Sequence, residues 1–396
     1  MPAPKNTKKT TEKNRKRLRT LYLLGSLLAV SNALPAYLQS NFLGQFMDAR
    51  NISLVFAGAN FLAIFAIWFF PGLIKKLTNY ILTRIVLILF IISLLGLAIS
   101  TSPIIALSSI ILFIISVNLI WINMDVAVES FSSNSSTGQT RTLYFTFINA
   151  GWILAPIMGS YLISKGGYSL PFLLAASLVV PFFLIFTKQK KNLKDNIKYK
   201  KESPAIALKK IWKNKNLKGI FFVALLLQLF YTSAVVYIPL YLHQTLNIGW
   251  EILGPMFSIM LIPFIIIEVP AGIIADKWLG EKEMLYLGFL ILSVSLFLFF
   301  YINTPIIWLW TLLLFFSRIG AALVEAMRES YFFKLIDADS VSHINVFRLT
   351  APLSYIIGPG IALIVLSFLP INYLFLIVAI IMTTGFGFVS IIKDTK

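Results

Sequence analysis

The chain has 396 residues, of which 58% are hydrophobic and 13% charged, with a mean hydropathy of +0.84. An average soluble domain is roughly 45–50% apolar and 25% charged, so the composition excludes a soluble globular protein and points to a bilayer. There is no cysteine, which excludes disulfides, thiolate metal sites and cysteine nucleophiles.

A basic segment, residues 1–17, opens the chain, and the first apolar run follows with no small-residue cleavage site behind a short core. It reads as an uncleaved first span. A spanning helix needs about 20 mostly apolar residues. On that rule uncharged runs predict spans at 18–40, 52–71, 80–101, 103–128, 143–164 and 168–187. Six more follow at 218–241, 250–271, 284–302, 304–330, 345–368 and 370–391. Short Pro or Gly turns at Ser102-Pro103, Lys165-Gly166-Gly167 and Asn303-Thr304-Pro305 predict tight antiparallel hairpins.

Residues 188–217 form a polar, Lys- and Asn-rich linker between six spans and six. Inside it Ala205, Ile206, Leu208, Ile211 and Trp212 alternate at helical spacing with Lys209, Lys210, Lys213 and Lys215, the pattern of a short basic amphipathic helix on a membrane surface. Ser203-Pro204 supplies its cap and first turn. A tail, 392–396, closes the chain.

The formal charge of +18 is not spread evenly: eight Lys and Arg lie in the first 19 residues and twelve between Lys188 and Lys218, whereas the loops of the opposite face carry Arg50 and Lys165. This is the positive-inside pattern, and it predicts a multi-pass protein of the cell membrane with both termini and the linker in the cytoplasm. The basic runs are orientation signals touching the lipid bilayer, so no nucleic-acid partner is expected.

The chain repeats itself at an offset of about two hundred residues. Pro71-Gly72 is answered by Ala271-Gly272, Asp125 and Glu129 by Glu325 and Glu329, and Pro35-x-Tyr37-Leu38 by Pro239-x-Tyr241-Leu242. The expected fold is therefore an all-α membrane protein, twelve transmembrane helices in two pseudo-symmetric six-helix bundles, 18–187 and 218–391, related as parallel repeats.

Acids at membrane depth are functional candidates by default. Asp125 and Glu129 share one face of the fourth span, Glu325 and Glu329 one face of the tenth. Arg141 opens the fifth span, Arg328 follows Glu325, and Arg348 enters the eleventh. These charges read either as a network clamping the halves together at the cytoplasmic rim or as fixed packing pairs at the water boundary. A proton-transfer role for Asp125 or Glu325 stays open.

Arg318 lies about fourteen residues into the tenth predicted span, roughly 21 Å at 1.5 Å per residue, near the bilayer middle. It either holds a carboxylate or phosphate of a small-molecule substrate, with its polar counterpart Asn118, or pairs with Glu268 or a backbone carbonyl. Asn32, Tyr37 and Gln39 of the first span, Gln228, Tyr231 and Tyr237 of the seventh, and Asn149 and Trp152 of the fifth suit a neutral polar or partly apolar molecule. His243 and His343 are too isolated for a metal, and no cofactor is expected.

The parallel repeats, and the loop Gly272-Ile-Ile-Ala-Asp276-Lys277-Trp-Leu-Gly280-Glu281-Lys282 above all, resemble the major facilitator superfamily over residues 18–391. Its cytoplasmic signature is a Gly, three residues, an Asp, a basic residue, then Gly and a further basic residue, here with one residue more before Gly280. The chemistry expected is close helix approach at Gly272, a contact of Asp276 with a helix N-terminus or an Arg, and a tight turn at Gly280. The first-half loop has Lys76 where the second has Asp276, so an acid-centred lock is expected in the second half alone. Gly151-x-x-x-Ala155-Pro156-x-x-Gly159-Ser160 and Gly358-Pro359-Gly360 are similar to the family's Gly-Pro helix motif. The resemblance implies a monomeric secondary transporter working by alternating access, with an acid in spans four and ten and an Arg at the next span forming the gate. No phosphate-binding Gly-x4-Gly-Lys-Ser/Thr loop is present, so an ion or substrate gradient, a proton gradient among the choices, would drive it. A non-transporting receptor or assembly factor on the same fold is the alternative. A polytopic membrane enzyme would place acids, His or metal ligands on sizeable outer loops, which this sequence does not.

Overall fold

The computed structural model describes residues 5–131, 137–193, 204–336 and 341–393, and among them there is no strand. The first span, α1, runs Lys5–Ala36 and resumes after Tyr37-Leu38 as Gln39–Leu43. Asp48 then caps a 50-residue helix, Ala49–Ala98, its side chain accepting from the Asn51 amide at 2.8 Å. Next come α4, Pro103–Phe131, α5, Thr137–Gly166, and α6, Ser169–Lys188.

After the linker, Asn214 caps α7, Lys215–Thr232, through the amides of Asn216 and Leu217. This span carries on through two π-helical turns, Ser233–Tyr237 and Tyr241–Thr245. The remaining spans are α8, Trp250–Ile274, α9, Glu281–Tyr301, and α10, Ile307–Leu335. Two segments bent at Leu349, Val341–Arg348 and Thr350–Leu366, make up α11, and α12 is Asn372–Ile391.

Eleven of the described helices are long and apolar enough to cross a membrane. At 1.5 Å per residue a helix of 50 residues is about 75 Å long, more than twice a hydrocarbon core of about 30 Å. Ala49–Ala98 breaks at Thr78, where φ is 65° and ψ 153°. Counted separately, its two limbs, 49–77 (α2) and 79–98 (α3), give twelve described helices of membrane-spanning length. The sequence places a loop here; the structure puts the reversal on a single residue.

The matching reversal in the second half falls on Gly280, with φ 95° and ψ 164°. Both values lie in a region that is essentially glycine's, because a β-carbon there collides with the backbone. The second half meets the demand with glycine and the first with a β-branched threonine, at a cost of roughly 1–3 kcal/mol. Thr78→Gly is therefore expected to raise the thermal unfolding midpoint of the purified protein, whereas Gly280→Thr is expected to lower it. A lower midpoint for Thr78→Gly would mean that the flanking helices need the threonine side chain more than they suffer from its backbone.

In the first half α1 packs on α5 and α6, and Ala49–Ala98 on α4 and α6; in the second α7 packs on α11 and α12, and α9 on α10 and α12. The two most extensive contacts between the halves are α5 against α8 and Ala49–Ala98 against Thr350–Leu366 of α11. Small residues bring the backbones together. A β-carbon on Gly151 would stand 2.7 Å from the Ser26 carbonyl oxygen of α1, and one on Gly358 would stand 2.9 Å from Thr232 Cγ2 of α7. Gly272 does not act this way: a β-carbon there meets nothing within 4 Å, and the same holds for Gly72 and Gly360. The expected close approach at Gly272 is thus corrected, because that face of α8 has no neighbouring helix against it.

The helix expected within the linker is present as Pro204–Lys213, but its apolar stripe is used differently. Ala207 and Ile211 are fully buried where the helix packs on Val341–Arg348 and on α7, leaving Ile206 and Trp212 exposed. Protein, not lipid, covers the stripe. The repeat Pro-x-Tyr-Leu also diverges in use: Tyr37 faces the interior between the halves, whereas the Tyr241 hydroxyl donates to the Ile302 carbonyl and to Asn303 Oδ1 within its own half.

Candidate functional site

A cavity of about 360 Å³ lies between the halves. Its walls come from α1, α2, α4 and α5 on one side and α7, α8, α10 and α11 on the other, with nothing from α3, α6, α9 or α12. Of the ten residues that the sequence singles out for a central cavity, nine line it: Asn32, Tyr37, Gln39, Asn118, Asn149 and Trp152 from the first half, Gln228, Tyr231 and Arg318 from the second; Tyr237 does not, and is hydrogen-bonded to Ser53 instead. Most of the remaining lining is apolar or aromatic, including Phe113, Trp121, Phe264 and Tyr355.

Arg318 sits eleven residues into α10, roughly 16 Å from its start at 1.5 Å per residue. Its side chain is among the largest fully buried ones in the chain, at 1% exposure. Nη1 donates to Ser317 Oγ at 3.2 Å, the guanidinium lies 5.0 Å from the centre of the Phe230 ring, and the Tyr37 hydroxyl is within hydrogen-bonding reach. Among the described residues no carboxylate comes within ion-pair distance of it. Glu268, the partner weighed from the sequence, instead accepts from Asn149 Nδ2 at 3.0 Å across the α5–α8 contact. A cation–π contact and two hydroxyls compensate a buried guanidinium only in part.

The amides divide in the same way. Asn118 Nδ2 donates to the Ile114 carbonyl of its own helix at 2.9 Å and Asn149 is taken by Glu268, so both are partly spent on structure. The side-chain amides of Asn32 and Gln228, one in each half, make no hydrogen bond within the protein among the described residues. Two unengaged side-chain amides and a cation compensated only in part thus face one cavity, which is the pattern of a site with a polar guest to receive.

The end of the bundle from which the linker leaves is closed by charge. Arg348 donates from Nη1 and Nη2 to the two oxygens of Glu329, at 2.7 and 3.0 Å, in a bidentate pair within the second half. Its Nε reaches across the seam to Asp125 Oδ2 at 3.0 Å. Arg328 stands 3.5 Å from both Glu325 and Glu329. Of the acids and bases expected at this rim, Asp125, Glu329 and Arg348 meet directly. Glu325 turns toward the cavity, where the Tyr231 hydroxyl donates to it at 2.6 Å. The side chains of Glu129, Arg141, Asp276 and Lys277 lie outside the described residues.

The far end is closed without charge. Tyr37 stacks on Phe257 with ring centres 5.3 Å apart, Ser53 and Tyr237 share a hydrogen bond of 2.9 Å, and Gln244 Nε2 donates to Asn41 Oδ1 at 3.3 Å. The Ile157 amide, just past Pro156, donates to Ser258 Oγ at 3.2 Å. Every one of these contacts joins the two halves.

Trp121 and Tyr355 are lining residues that the sequence reading passed over. Helical spacing carries the signal for both. Trp121 falls between Asn118 and Asp125 on the i, i+3, i+7 stripe of α4, and Tyr355 lies seven residues past Arg348 on α11. The hydrogen bond of Ser53 with Tyr237 has no such signal, because a serine in an apolar helix usually bonds its own backbone, as Ser53 also does toward Ala49. A family model described as Major Facilitator Superfamily matches residues 19–345. No curated protein matches the chain.

Proposed function

Because the chain belongs to the major facilitator superfamily, and is thus a multi-pass membrane transporter of small molecules, we propose that it is a secondary carrier whose halves, 18–187 and 218–391, rock about the cavity by alternating access. The observation that carries this reading is the cavity itself: both halves wall it, it holds Arg318 with no carboxylate of the described residues in ion-pair reach, and it is shut at each end by contacts that cross the seam. Neutral bonds and aromatic stacking close one end and an ion pair the other, so each can break while the other holds. That is the minimum an alternating gate requires.

The cargo in this reading is a small solute with one anionic group and a partly apolar body. Arg318 receives the anion, Asn32 and Gln228 receive neutral polar atoms, and Trp121, Trp152 and Phe264 cover the apolar part. The linker end faces the cytoplasm of the cell membrane, on the strength of the basic residues clustered there. An ion gradient supplies the energy, with a proton as the ion and Asp125 or Glu325 as its carrier. The protein acts as a monomer and is not an enzyme.

Counterflow in proteoliposomes tests the reading. A panel of labelled carboxylates and phosphate esters is expected to contain at least one solute that exchanges against unlabelled solute inside. Net uptake of that solute is expected to shift lumenal pH. A receptor or an enzyme would bind or convert a solute without exchange, and exchange with no pH change would remove the proton and leave the carrier.

A further inference from the structure

The linker helix Pro204–Lys213 spends its apolar stripe on other helices of the same chain. Buried Ala207 and Ile211 seat it on Val341–Arg348, the segment whose last residue supplies the ion pair across the seam. That segment is itself held firmly: Ile344, Val346 and Phe347 are buried, and Phe347 stacks on Phe332 at 3.9 Å. A displacement of the linker helix therefore bears on the backbone that carries Arg348.

The opposite face of the helix is built for an anionic lipid surface. Lys209 and Lys213, four residues apart and exposed, share a face with Ile206, which is 51% exposed. Trp212, 45% exposed, stands at the edge of that face with its ring 5.5 Å from Phe221 and 5.9 Å from Phe222, about two turns into α7. The helix thus ends two residues before an apolar helix of membrane-spanning length begins, presenting two ammonium groups beside an isoleucine with an indole at the edge. Lysine, isoleucine and tryptophan are the combination that enters an interface carrying negative charge.

We propose that the linker helix binds the anionic phospholipid surface at the linker end and, through its seat on Val341–Arg348, holds the Arg348–Asp125 bridge closed. The coupling rests on the reading of that bridge as a gate; the lipid contact does not. Charged headgroups keep the helix pressed in place, and a neutral bilayer lets it and the gate segment loosen.

The absence of cysteine in the chain makes two single-cysteine reporters available. Ile206→Cys carries an environment-sensitive fluorophore, and Val117→Cys, on the cavity wall, is labelled by a membrane-impermeant maleimide from the linker side. Both are measured in vesicles of phosphatidylcholine alone and with 30% phosphatidylglycerol. In the anionic vesicles the fluorophore is expected to shift to the blue, and labelling at position 117 to slow by at least about threefold, since each lysine near a charged leaflet contributes appreciably. Lys209→Gln/Lys213→Gln is expected to abolish both effects, and Lys209→Arg/Lys213→Arg to keep them. Lys188→Gln/Lys190→Gln, which removes two charges elsewhere at the same end, is expected to keep them as well. No blue shift, or one that survives Lys209→Gln/Lys213→Gln, overturns the lipid contact. A blue shift with unchanged labelling overturns the coupling, and an unresponsive Arg348→Ala control in the same assay places the failure in the gate.

Discussion

Arg318→Ala is expected to abolish binding of an anionic cargo while leaving the empty protein as stable as before, or more so. The two halves of this expectation come from the same observation. A guanidinium at 1% exposure, with no carboxylate of the described residues within ion-pair distance, is a cost to the empty fold. Placing an arginine at mid-bilayer costs roughly 2.5–3.5 kcal/mol on insertion scales, and the Phe230 ring and the hydroxyls of Ser317 and Tyr37 offset part of it. An anionic guest completes the compensation. Two charge-assisted hydrogen bonds at roughly 1.5–3 kcal/mol each correspond to a loss of at least a hundredfold in affinity when the side chain is cut away. Arg318→Lys keeps the charge but not the planar fork, so it is expected to bind measurably and more weakly. Isothermal titration or a thermal-shift series with the cargo found by counterflow reads both effects. If Arg318→Ala unfolds at a lower temperature and still binds the anion, the residue belongs to the framework and the cargo is held elsewhere.

How far the sequence led can be judged at the same residue. Arg318 was legible because a charge inside an apolar run is rare, and Asn118 because the repeat offset of two hundred residues points to it. The division into spans was legible from apolar length alone, and ten of the twelve predicted starts agree with the structure to within four residues. The exceptions are α1, whose helix extends back to Lys5, and α5, which begins at Thr137, because polar and charged residues ahead of an apolar run can continue its helix. Three features were hidden for a physical reason. Thr78 carries no turn signature, since a β-branched residue is the last expected at φ 65°. The stripe of the linker helix looks the same whether lipid or protein covers it, so only the seat on Val341–Arg348 distinguishes the two. The closure of the far end is made by serine, tyrosine and amide side chains that are common in any membrane helix, and their pairing depends on the placement of the halves and not on composition.

The second large effect is expected at the other end of the cavity, from Arg348→Ala. Of the three hydrogen bonds made by this guanidinium to Asp125 and Glu329, two are internal to the second half, so they orient the side chain without resisting separation. The Nε bond to Asp125 is the one that crosses. A hydrogen bond between charged groups contributes roughly 1.5–3 kcal/mol, which corresponds to about a ten- to hundredfold change in the ratio of closed to open at this end. Removing the arginine also leaves Asp125 and Glu329 without their shared cation, and their repulsion across the seam adds to the opening. Asp125→Asn keeps an acceptor for Nε and introduces no repulsion, so its effect is expected to be smaller, on the order of fivefold, the difference between a charged and a neutral hydrogen bond. The graded order Arg348→Ala, then Asp125→Asn, then Glu329→Gln follows from which bonds cross the seam. Labelling of a cysteine at position 117 from the linker side measures it directly, and a double-mutant cycle on Arg348 and Asp125 separates the crossing bond from the repulsion. Because the far end is closed by neutral contacts, labelling from that side is expected to fall as the linker end opens. A rise at both ends would mean that the halves have come apart, and the two gates would then be a single joint.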